Sequence, residues 1–299
     1  MKDLWYSSGK DVLSVKSLKE SDYVTTTGRK LQQTFRNFNK NVHIFRNMFD
    51  WKQPQWNLQR EEHPEYILIG WVGLTSHFED IKKMAPIMKY VHDKYPNTKF
   101  VLSGMAIKDT EVTITVDAQG NKKYDEKEIT DEKKTYKYKV KELFKDFDQN
   151  RIEFNDAVSL EAYGRFYKDL TIGLGFLEYN GFNQSKSEIK LVEYLKYGAI
   201  PIFSNIGGYN DMLNLMPIDL KNDIRLLAID SENSEKWKTS LDIIIQNLDI
   251  YKQIAQRCKN WVEKEYDINE KIHEKVEWYD KIIEESVEQQ IIKIQNILV

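Results

Sequence analysis

Two lysines and a glutamate recur at helical spacing within residues 185–198. Lys186, Lys190 and Glu193 are four and three residues apart, so in a helix they share one face. Lys186 and the free amides of a first helical turn could bind a diphosphate, and Glu193 could accept hydrogen bonds from a vicinal diol such as ribose. The alternative is a solvated face on which Lys190 and Glu193 form a pair worth about 0.2–0.5 kcal/mol. The spacing alone favours neither interpretation.

Capping residues mark the boundaries of that helix. Ser185 and Glu188 form a capping box, which predicts a helix that begins near Lys186. Gly198 is a typical residue just past a helix end, and the apolar run at 200–204 then predicts a strand. The lysines therefore lie at the entry to a helix that connects two strands.

A second loop with polar groups follows the apolar run at 66–72. The strand is predicted to end at Gly73, and Ser76 forms a capping box with Glu79 for the next helix. Gly73 would let a ligand approach the backbone, and His77 in the first turn could donate a hydrogen bond to a phosphate. The alternative is an ordinary capped helix that carries a surface histidine.

Other candidate sites carry weaker signals. Gly207 and Gly208 follow a predicted strand and could bring backbone near the same ligand, although such a pair is more often a turn. Asp146 and Asp148 have the spacing of a metal-diphosphate site, but the apolar residues around them favour an amphipathic helical turn. The histidines and Cys258 lack zinc-binding spacing, so no metal is expected.

From residue 66 onward, apolar runs of strand length alternate with amphipathic helical segments. This alternation predicts a mainly parallel sheet covered by helices on both faces, a doubly wound α/β fold. Ligands of such sheets bind beyond the carboxyl ends of the strands, where both polar loops lie. The predicted strands are Tyr66–Val72, Phe100–Ser103, Arg151–Phe154, Thr171–Phe176, Ile200–Ser204 and Ile224–Ile229.

Four segments lie outside this alternation. Residues 23–45 are predicted to form one βαβ unit, and residues 47–64 a connector that packs through its aromatic side chains. A β-hairpin insertion is predicted at about 109–141, with its turn at 118–121. Residues 266–299 keep apolar positions at helical spacing, which predicts long helices with an apolar face.

The composition is that of a globular protein with nearly balanced charge. Among 299 residues, 44 Lys and Arg stand against 47 Asp and Glu, so no overall basic field favours nucleic acid. A single cysteine fits a reducing compartment. The longest apolar run, residues 67–74, is far shorter than the ~20 residues that span a bilayer. The sequence predicts a cytoplasmic protein, and a peripheral membrane contact through one face stays open.

Three stretches resemble GT-B glycosyltransferases of the group 1, or family 4, type. Residues 182–202, FNQSKSEIKLVEYLKYGAIPI, resemble the donor-binding segment of those enzymes. Residues 69–80, IGWVGLTSHFED, resemble the opening of the same C-terminal domain. Residues 21–50 resemble the last βαβ unit of the N-terminal domain and the interdomain link. Ser185 stands eight residues before Glu193, where the family pattern E-x7-E has its first glutamate.

The resemblance implies a GT-B-like, Rossmann-type fold with an incomplete N-terminal domain. Residues 1–60 would be the remnant of that domain and the linker, residues 61–265 the nucleotide-sugar-binding domain, and residues 266–299 C-terminal helices. Glu193 would bind the ribose diol, Lys186 and the first-turn amides the diphosphate, and His77 and Gly73 would line the phosphates. The donor-binding residues expected are Gly73, Ser76, His77, Lys186, Ser187, Lys190, Glu193 and Gly207.

The implied activity is the transfer of a sugar from a UDP-, GDP- or ADP-linked donor, with retention of configuration and no obligatory metal. The acceptor, whether glycan, lipid-linked or protein, and the catalytic base are not identified. A partner chain or an upstream domain would complete the fold. The alternative is a non-catalytic nucleotide-sugar-binding or structural GT-B-like module within a larger assembly.

Overall fold

The computed structural model describes residues 10–61, 63–116 and 122–298, and its first elements form a small α/β unit. These are α1 (Lys10–Glu20), β1 (Val24–Thr26), α2 (Arg29–Phe35) and β2 (Val42–Ile44). The two strands pair in parallel, with Val24 opposite Val42. The predicted βαβ unit at 23–45 is confirmed.

A six-stranded parallel sheet forms the main body of the chain. The remaining strands are β3 (Ile67–Val72), β4 (Thr98–Met105), β5 (Thr110–Val116), β6 (Lys122–Glu128), β7 (Ile152–Asp156), β8 (Ile172–Gly175), β9 (Ile200–Ser204) and β10 (Ala228–Ile229). The sheet order is β10-β9-β8-β3-β4-β7. The predicted α/β class is confirmed, and five of the six predicted strands lie where the apolar runs placed them. The sixth is shorter than predicted, because residues 218–224 are helical and 225–227 form a 3₁₀ turn.

Helices of varied length flank the sheet. They are α3 (Phe78–Lys94), α4 (Tyr136–Leu143), α5 (Gly181–Gln184), α6 (Ile189–Lys196), α7 (Gly207–Leu215), α8 (Ile218–Ile224), α9 (Ser234–Gln246), α10 (Leu248–Glu265) and α11 (Ile268–Leu298). Within the described ranges, none of these helices combines the length and the apolar composition needed to cross a bilayer.

The insertion is a two-stranded antiparallel hairpin that is shorter than predicted. β5 pairs with β6, with Thr110 opposite Glu128. The predicted turn at 118–121 lies outside the described residues. The predicted hairpin extends to residue 141, but its last residues belong to α4 instead. Tyr136 and Val140 are buried on α4, which packs against α3.

The predicted C-terminal helices are one helix of 31 residues, α11, which returns to the N-terminal unit. Trp278 on α11 packs against Tyr23, His43 and Phe45, with ring centroids 5.8, 5.1 and 5.2 Å away. The connector packs through its aromatic side chains, as predicted: Phe49 and Trp51 stack with ring centroids 4.7 Å apart. Contacts between the two ends of the chain therefore hold β1 and β2 in place.

Glycine in β8 allows α6 to lie close against the sheet. A Cβ atom at Gly173 would lie 2.3 Å from the ring of Tyr194, which is fully buried on α6. The Tyr194 hydroxyl donates to the carbonyl of Leu174 at 3.1 Å and to that of Gly70 at 3.4 Å. These contacts fix the position of the helix that carries Lys190 and Glu193.

Replacing Gly173 by alanine should destabilise the protein by about 1–3 kcal/mol, because the Tyr194 ring would have to move within a packed core. Urea unfolding followed by circular dichroism measures this change. Gly181→Ala is the matched control, since nothing lies within 4 Å of its Cβ position, and it should change stability by less than about 0.5 kcal/mol. Equal stabilities of the two variants would show that Tyr194 does not anchor α6.

Candidate functional site

The candidate site forms where β3 and β8 end side by side. The two strands pair directly, with Ile69 opposite Ile172. Gly73 follows β3 and leads through the 3₁₀ turn Thr75–His77 into α3, while β8 leads into α5 and α6. Because the strands are parallel, both loops meet at the carboxyl edge of the sheet, as the sequence predicted.

Asp80, in the first turn of α3, joins the two loops. Its side chain is 3% exposed and accepts hydrogen bonds from the Glu178 amide and from Nδ2 of Asn183, both at 2.8 Å. Nδ1 of His77 lies 2.6 Å away. Burial alone would raise the pKa of Asp80, but the hydrogen bonds from His77 and the Glu178 amide outweigh it and hold that pKa below its usual value. Asp80 is therefore a buried, ionised carboxylate.

His77 is neutral and links Asp80 to a lysine. Burial, followed by the charge of Lys190, lowers the pKa of His77 to about 4. Because the Asp80 carboxylate can only accept, Nδ1 of His77 carries the proton and donates to it. Lys186 Nζ lies 3.2 Å from Nδ1 and 3.3 Å from Nε2 of the same ring. His77 is therefore in contact with both Asp80 and Lys186.

Two lysines place positive charge at this edge of the sheet. Lys186 Nζ lies 3.9 Å from Asp80 and 4.8 Å from the centre of the Phe182 ring. Lys190 Nζ is fully covered, makes no hydrogen bond within the described residues, and lies 5.3 Å from the centre of the Trp71 ring. Burial lowers the pKa of both lysines to about 8. Both still carry charge at pH 7, and within the described residues that of Lys190 has no hydrogen-bond acceptor.

Glu193 lies deeper than the lysines. It is 5% exposed, and the Tyr167 hydroxyl donates to its Oε2 at 2.6 Å. The Tyr163 hydroxyl lies 2.8 Å from that of Tyr167, which extends the buried network. Burial raises the pKa of Glu193 to about 7, against the opposing effects of Tyr167 and the Lys190 charge. The predicted ribose contact through Glu193 stays a prediction.

The glycine loop after β9 packs against the lysine loop. Gly207 has φ of +50°, and a Cβ atom there would lie 2.5 Å from the carbonyl oxygen of Gln184. The Gly208 amide donates to the carbonyl of Lys186 at 3.2 Å, and a Cβ atom on Gly208 would lie 2.8 Å from the backbone of Ser187. Close contact between backbones accounts for both glycines, and it brings Gly207 and Ser187 next to Lys186.

Both predicted capping boxes are wrong. α3 begins at Phe78 after a 3₁₀ turn, which leaves Ser76 exposed and without a capping bond. α6 begins at Ile189, so Lys186 precedes the helix that carries Lys190. The second capping box, Ser185 with Glu188, does not form because each side chain binds another group.

Ser185 and Glu188 have other partners than each other. Ser185 Oγ donates to the carbonyl of Gly181 at 2.9 Å, which closes the short helix α5. Glu188 is buried and accepts from the Tyr266 hydroxyl at 3.2 Å. An aromatic neighbour just past the C-terminal end of α10 therefore removes Glu188 from the cap. The predicted helix end at Gly198, with φ of +71°, is confirmed.

The fold brings His77, Lys186 and Lys190 together near Asp80, with the backbone of Ser187 and the Gly207–Gly208 loop packed beside Lys186. Gly73 borders this group, and its Cβ position lies 2.5 Å from the Trp71 ring. Sequence reasoning missed Asp80 and Asn183 as the residues that connect the loops. The spacing of His77 and Asp80 within one helical turn was a signal for the first, and nothing local signals the second.

Glu61, His63 and Asp169 could together hold a metal ion, since their ligand atoms lie within 4.8 Å of one another. They lie at the amino ends of β3 and β8, away from Lys186 and Lys190. Lys168 already pairs with Glu61 at 3.1 Å and with Asp169 at 2.7 Å. The charge of this cluster is therefore balanced in part by a lysine, and the expected absence of a metal from the site stays a prediction.

No protein-family model and no curated protein sequence matches this chain. Among solved structures, sucrose-phosphate synthase from Thermosynechococcus elongatus aligns with a TM-score of 0.62 and 13% identity over 91% of this chain and 61% of that one. Anabaena HepE in complex with UDP and glucose aligns with a TM-score of 0.61 and 12% identity, over 93% and 69%. This chain has the GT-B glycosyltransferase fold.

A third GT-B structure extends the likeness. A point mutant of S. aureus TarM, in complex with fondaparinux, α-GlcNAc-glycerol and UDP, aligns with a TM-score of 0.62 and 9% identity over 88% of this chain and 45% of that one. This chain spans about three fifths of the length of the sucrose-phosphate synthase. At these identities the likeness establishes the GT-B fold alone.

Replacing Glu193 by glutamine should change how stability depends on pH. Because its pKa is raised to about 7 in the folded protein, wild-type stability from this group is present below pH 4.5 and is lost as pH rises through 7. The variant lacks this loss, so its stability relative to wild type should rise by about 2 kcal/mol between pH 5 and pH 8. Urea unfolding at both pH values measures the difference.

Glu111→Gln is the control for that experiment, because Glu111 is exposed on the hairpin. Its stability relative to wild type should be the same at both pH values. If Glu193→Gln behaves like this control, the Glu193 carboxylate does not ionise with a raised pKa in the folded protein.

Proposed function

We propose that this chain binds a nucleoside diphosphate sugar at the carboxyl ends of β3 and β8 and transfers the sugar to an acceptor. The observation that carries the proposal is the pair Lys186 and Lys190, where a buried ammonium has no hydrogen-bond acceptor among the described residues. A buried charge without a partner is costly, and a diphosphate would supply the missing acceptors. The GT-B fold and the position at the carboxyl edge of the sheet support this assignment.

Each residue of the site has a proposed role. Lys186 and Lys190 neutralise the diphosphate, and His77 packs against the Lys186 ammonium. Glu193 accepts hydrogen bonds from the ribose through the oxygen that Tyr167 does not use. Gly73 and Gly207 let backbone come close to the ligand.

The proposed catalytic contribution is electrostatic. As the bond between sugar and diphosphate breaks, negative charge grows on the departing diphosphate, and fixed ammonium groups in a buried site stabilise it. We further propose that configuration is retained and that no metal is obligatory, as the sequence resemblance implies. The two lysines supply the positive charge that a divalent cation would otherwise bring.

The alternative is a module that binds the nucleotide sugar without transferring it. Ser185 favours this alternative, because it replaces the carboxylate expected there from the E-x7-E pattern. Turnover decides between the two. Release or transfer of labelled glucose from UDP-glucose, unchanged by EDTA, supports an enzyme, whereas stabilisation by UDP without turnover supports a binding module.

Lys190→Met should abolish the increase in melting temperature that UDP produces, because it removes a charge that faces the diphosphate. The melting temperature without ligand should stay equal or rise, since the variant no longer buries an ammonium that lacks an acceptor. Differential scanning fluorimetry with UDP, GDP and ADP measures both effects. The combination of lost binding and retained stability distinguishes a ligand-binding residue from a structural one.

Lys236→Met is the matched control, because Lys236 is exposed on α9. It should keep the full response to nucleotide. A wild-type response in Lys190→Met would contradict the proposed site. If none of the three nucleotides stabilises the wild-type protein, a purely structural role of the GT-B fold is correct instead.

We further propose that a partner chain or a further domain covers one surface of α11. Its side chains Ile272, Val276, Tyr279, Ile283 and Val287 form an apolar stripe that is 39% to 59% exposed. The stripe runs beside Trp278, which packs on β1 and β2. Apolar side chains in a contiguous row are typical of a surface that another element covers.

Within the described residues, the small sheet consists of β1 and β2 alone. Parallel sheets are normally larger and covered on both faces, and two strands alone are marginally stable. We propose that a further α/β unit continues this sheet and covers the stripe, which fits a chain that spans only part of its structural neighbours.

Hydrogen exchange tests this surface. In the chain alone, amides of β1 and β2 should exchange at least about a hundredfold faster than those of β3 and β8, because an uncovered pair of strands opens locally. Mass spectrometry of deuterated peptides measures the rates. Equal protection of both sheets would show that the small sheet needs no cover. Protection that grows with protein concentration would indicate a second copy of the chain instead.

A further inference from the structure

A cavity of about 520 Å³ lies at the other end of α6 from Lys190. Lys190 and Lys196 are six residues apart on α6, so about 9 Å of helix separates the two places. The cavity is bounded by the connector at 56–60, by the end of α6 with Tyr197 and Gly198, and by one face of α10. Its volume lies in the range of small-molecule sites, which is about 300–1,000 Å³.

One face of α10 presents a row of polar side chains to this cavity. Lys252, Gln256, Lys259 and Glu263 are four, three and four residues apart, so they share one side of the helix. Arg60 lies opposite, on the connector. The wall facing the connector is therefore mainly basic.

The positive charges around the cavity exceed the negative ones. Glu263 is the acidic residue among those that line it, and it pairs with Lys196 at 2.8 Å. Arg60 donates to the carbonyl of Tyr197 at 2.8 Å, which holds its guanidinium at the edge of the cavity. Lys252 and Lys259 form no ion pair within the described part of the chain. Like charges that face a concave surface attract an anion.

The carboxylates of the neighbouring cavity do not balance the two lysines. Glu61 and Asp169 line this neighbouring cavity, which has a volume of about 290 Å³. It shares Arg60 and Lys252 with the cavity of about 520 Å³. Both carboxylates pair with Lys168, at 3.1 and 2.7 Å. The ammonium groups of Lys252 and Lys259 are therefore available to a ligand.

We propose that this cavity binds a small hydroxylated anion of the sugar-phosphate class. Lys252 and Lys259 meet the phosphate, and the amide side chains of Asn57 and Gln256 offer donors and acceptors to hydroxyl groups. A cavity of this volume exceeds what inorganic phosphate alone would fill.

A nucleotide base fits the cavity poorly. The aromatic residues that line it, Trp56 and Tyr197, are only 7% and 6% exposed, so little ring surface is open for stacking. The site therefore differs from the donor site in its ligand as well as in its position.

Isothermal titration with glucose 6-phosphate tests the proposal. The wild-type protein should bind it, and the double variant Lys252→Gln, Lys259→Gln should bind at least about tenfold more weakly, because both charges that face the phosphate are removed. Lys264→Gln, on the same helix but outside the cavity, is the matched control and should bind like wild type. Melting temperatures of the three proteins show that each is folded.

Further probes identify the chemistry. Glucose should not bind, and inorganic phosphate should bind more weakly than glucose 6-phosphate. Equal binding of phosphate and glucose 6-phosphate would overturn the sugar-phosphate assignment, and so would binding confined to phosphatidylglycerol vesicles. Absence of binding, or unchanged binding in the double variant, overturns the site itself. Lys190→Met should retain glucose 6-phosphate binding, so this proposal and the donor-site proposal fail separately.

Discussion

One buried carboxylate, that of Asp80, holds together the two loops on which the candidate site depends. Removing a carboxylate from water is costly, and three donors from two separate loops offset that cost here. Because Asn183 and the Glu178 amide follow β8 while His77 follows β3, the hydrogen bonds fix one loop relative to the other. Lys186 lies against the same group of side chains, with its Nζ 3.9 Å from Asp80.

The site keeps more positive charge buried than its own carboxylates balance. Lys186 and Lys190 face Asp80, while another carboxylate nearby, that of Glu193, has a pKa raised to about 7 by burial. Such an arrangement reduces the stability of the protein, because buried charge that is not balanced is costly.

The short helix α6 connects the candidate site with the cavity of about 520 Å³. Tyr194 anchors it on the glycines of β8, so its first turns hold Lys190 and Glu193 at a defined depth. Its last residues, with Lys196 and Gly198, form one wall of the basic cavity. A ligand in that cavity would contact the connector and the same helix that carries Lys190 and Glu193.

The sequence by itself determined the parallel α/β sheet, the βαβ unit at 23–45, the helix end at Gly198 and the segments that carry the candidate site. These features depend on the period of apolar residues and on backbone preferences, which neighbours along the chain already express. The tertiary structure was needed to show that Glu188 does not cap α6, because it accepts a hydrogen bond from the distant Tyr266 hydroxyl. The tertiary structure also showed that Asp80 joins two loops and that Glu193 accepts a hydrogen bond from Tyr167. The partners of these polar groups are mostly distant in sequence, and a buried polar group takes whichever partner the packed fold brings within reach.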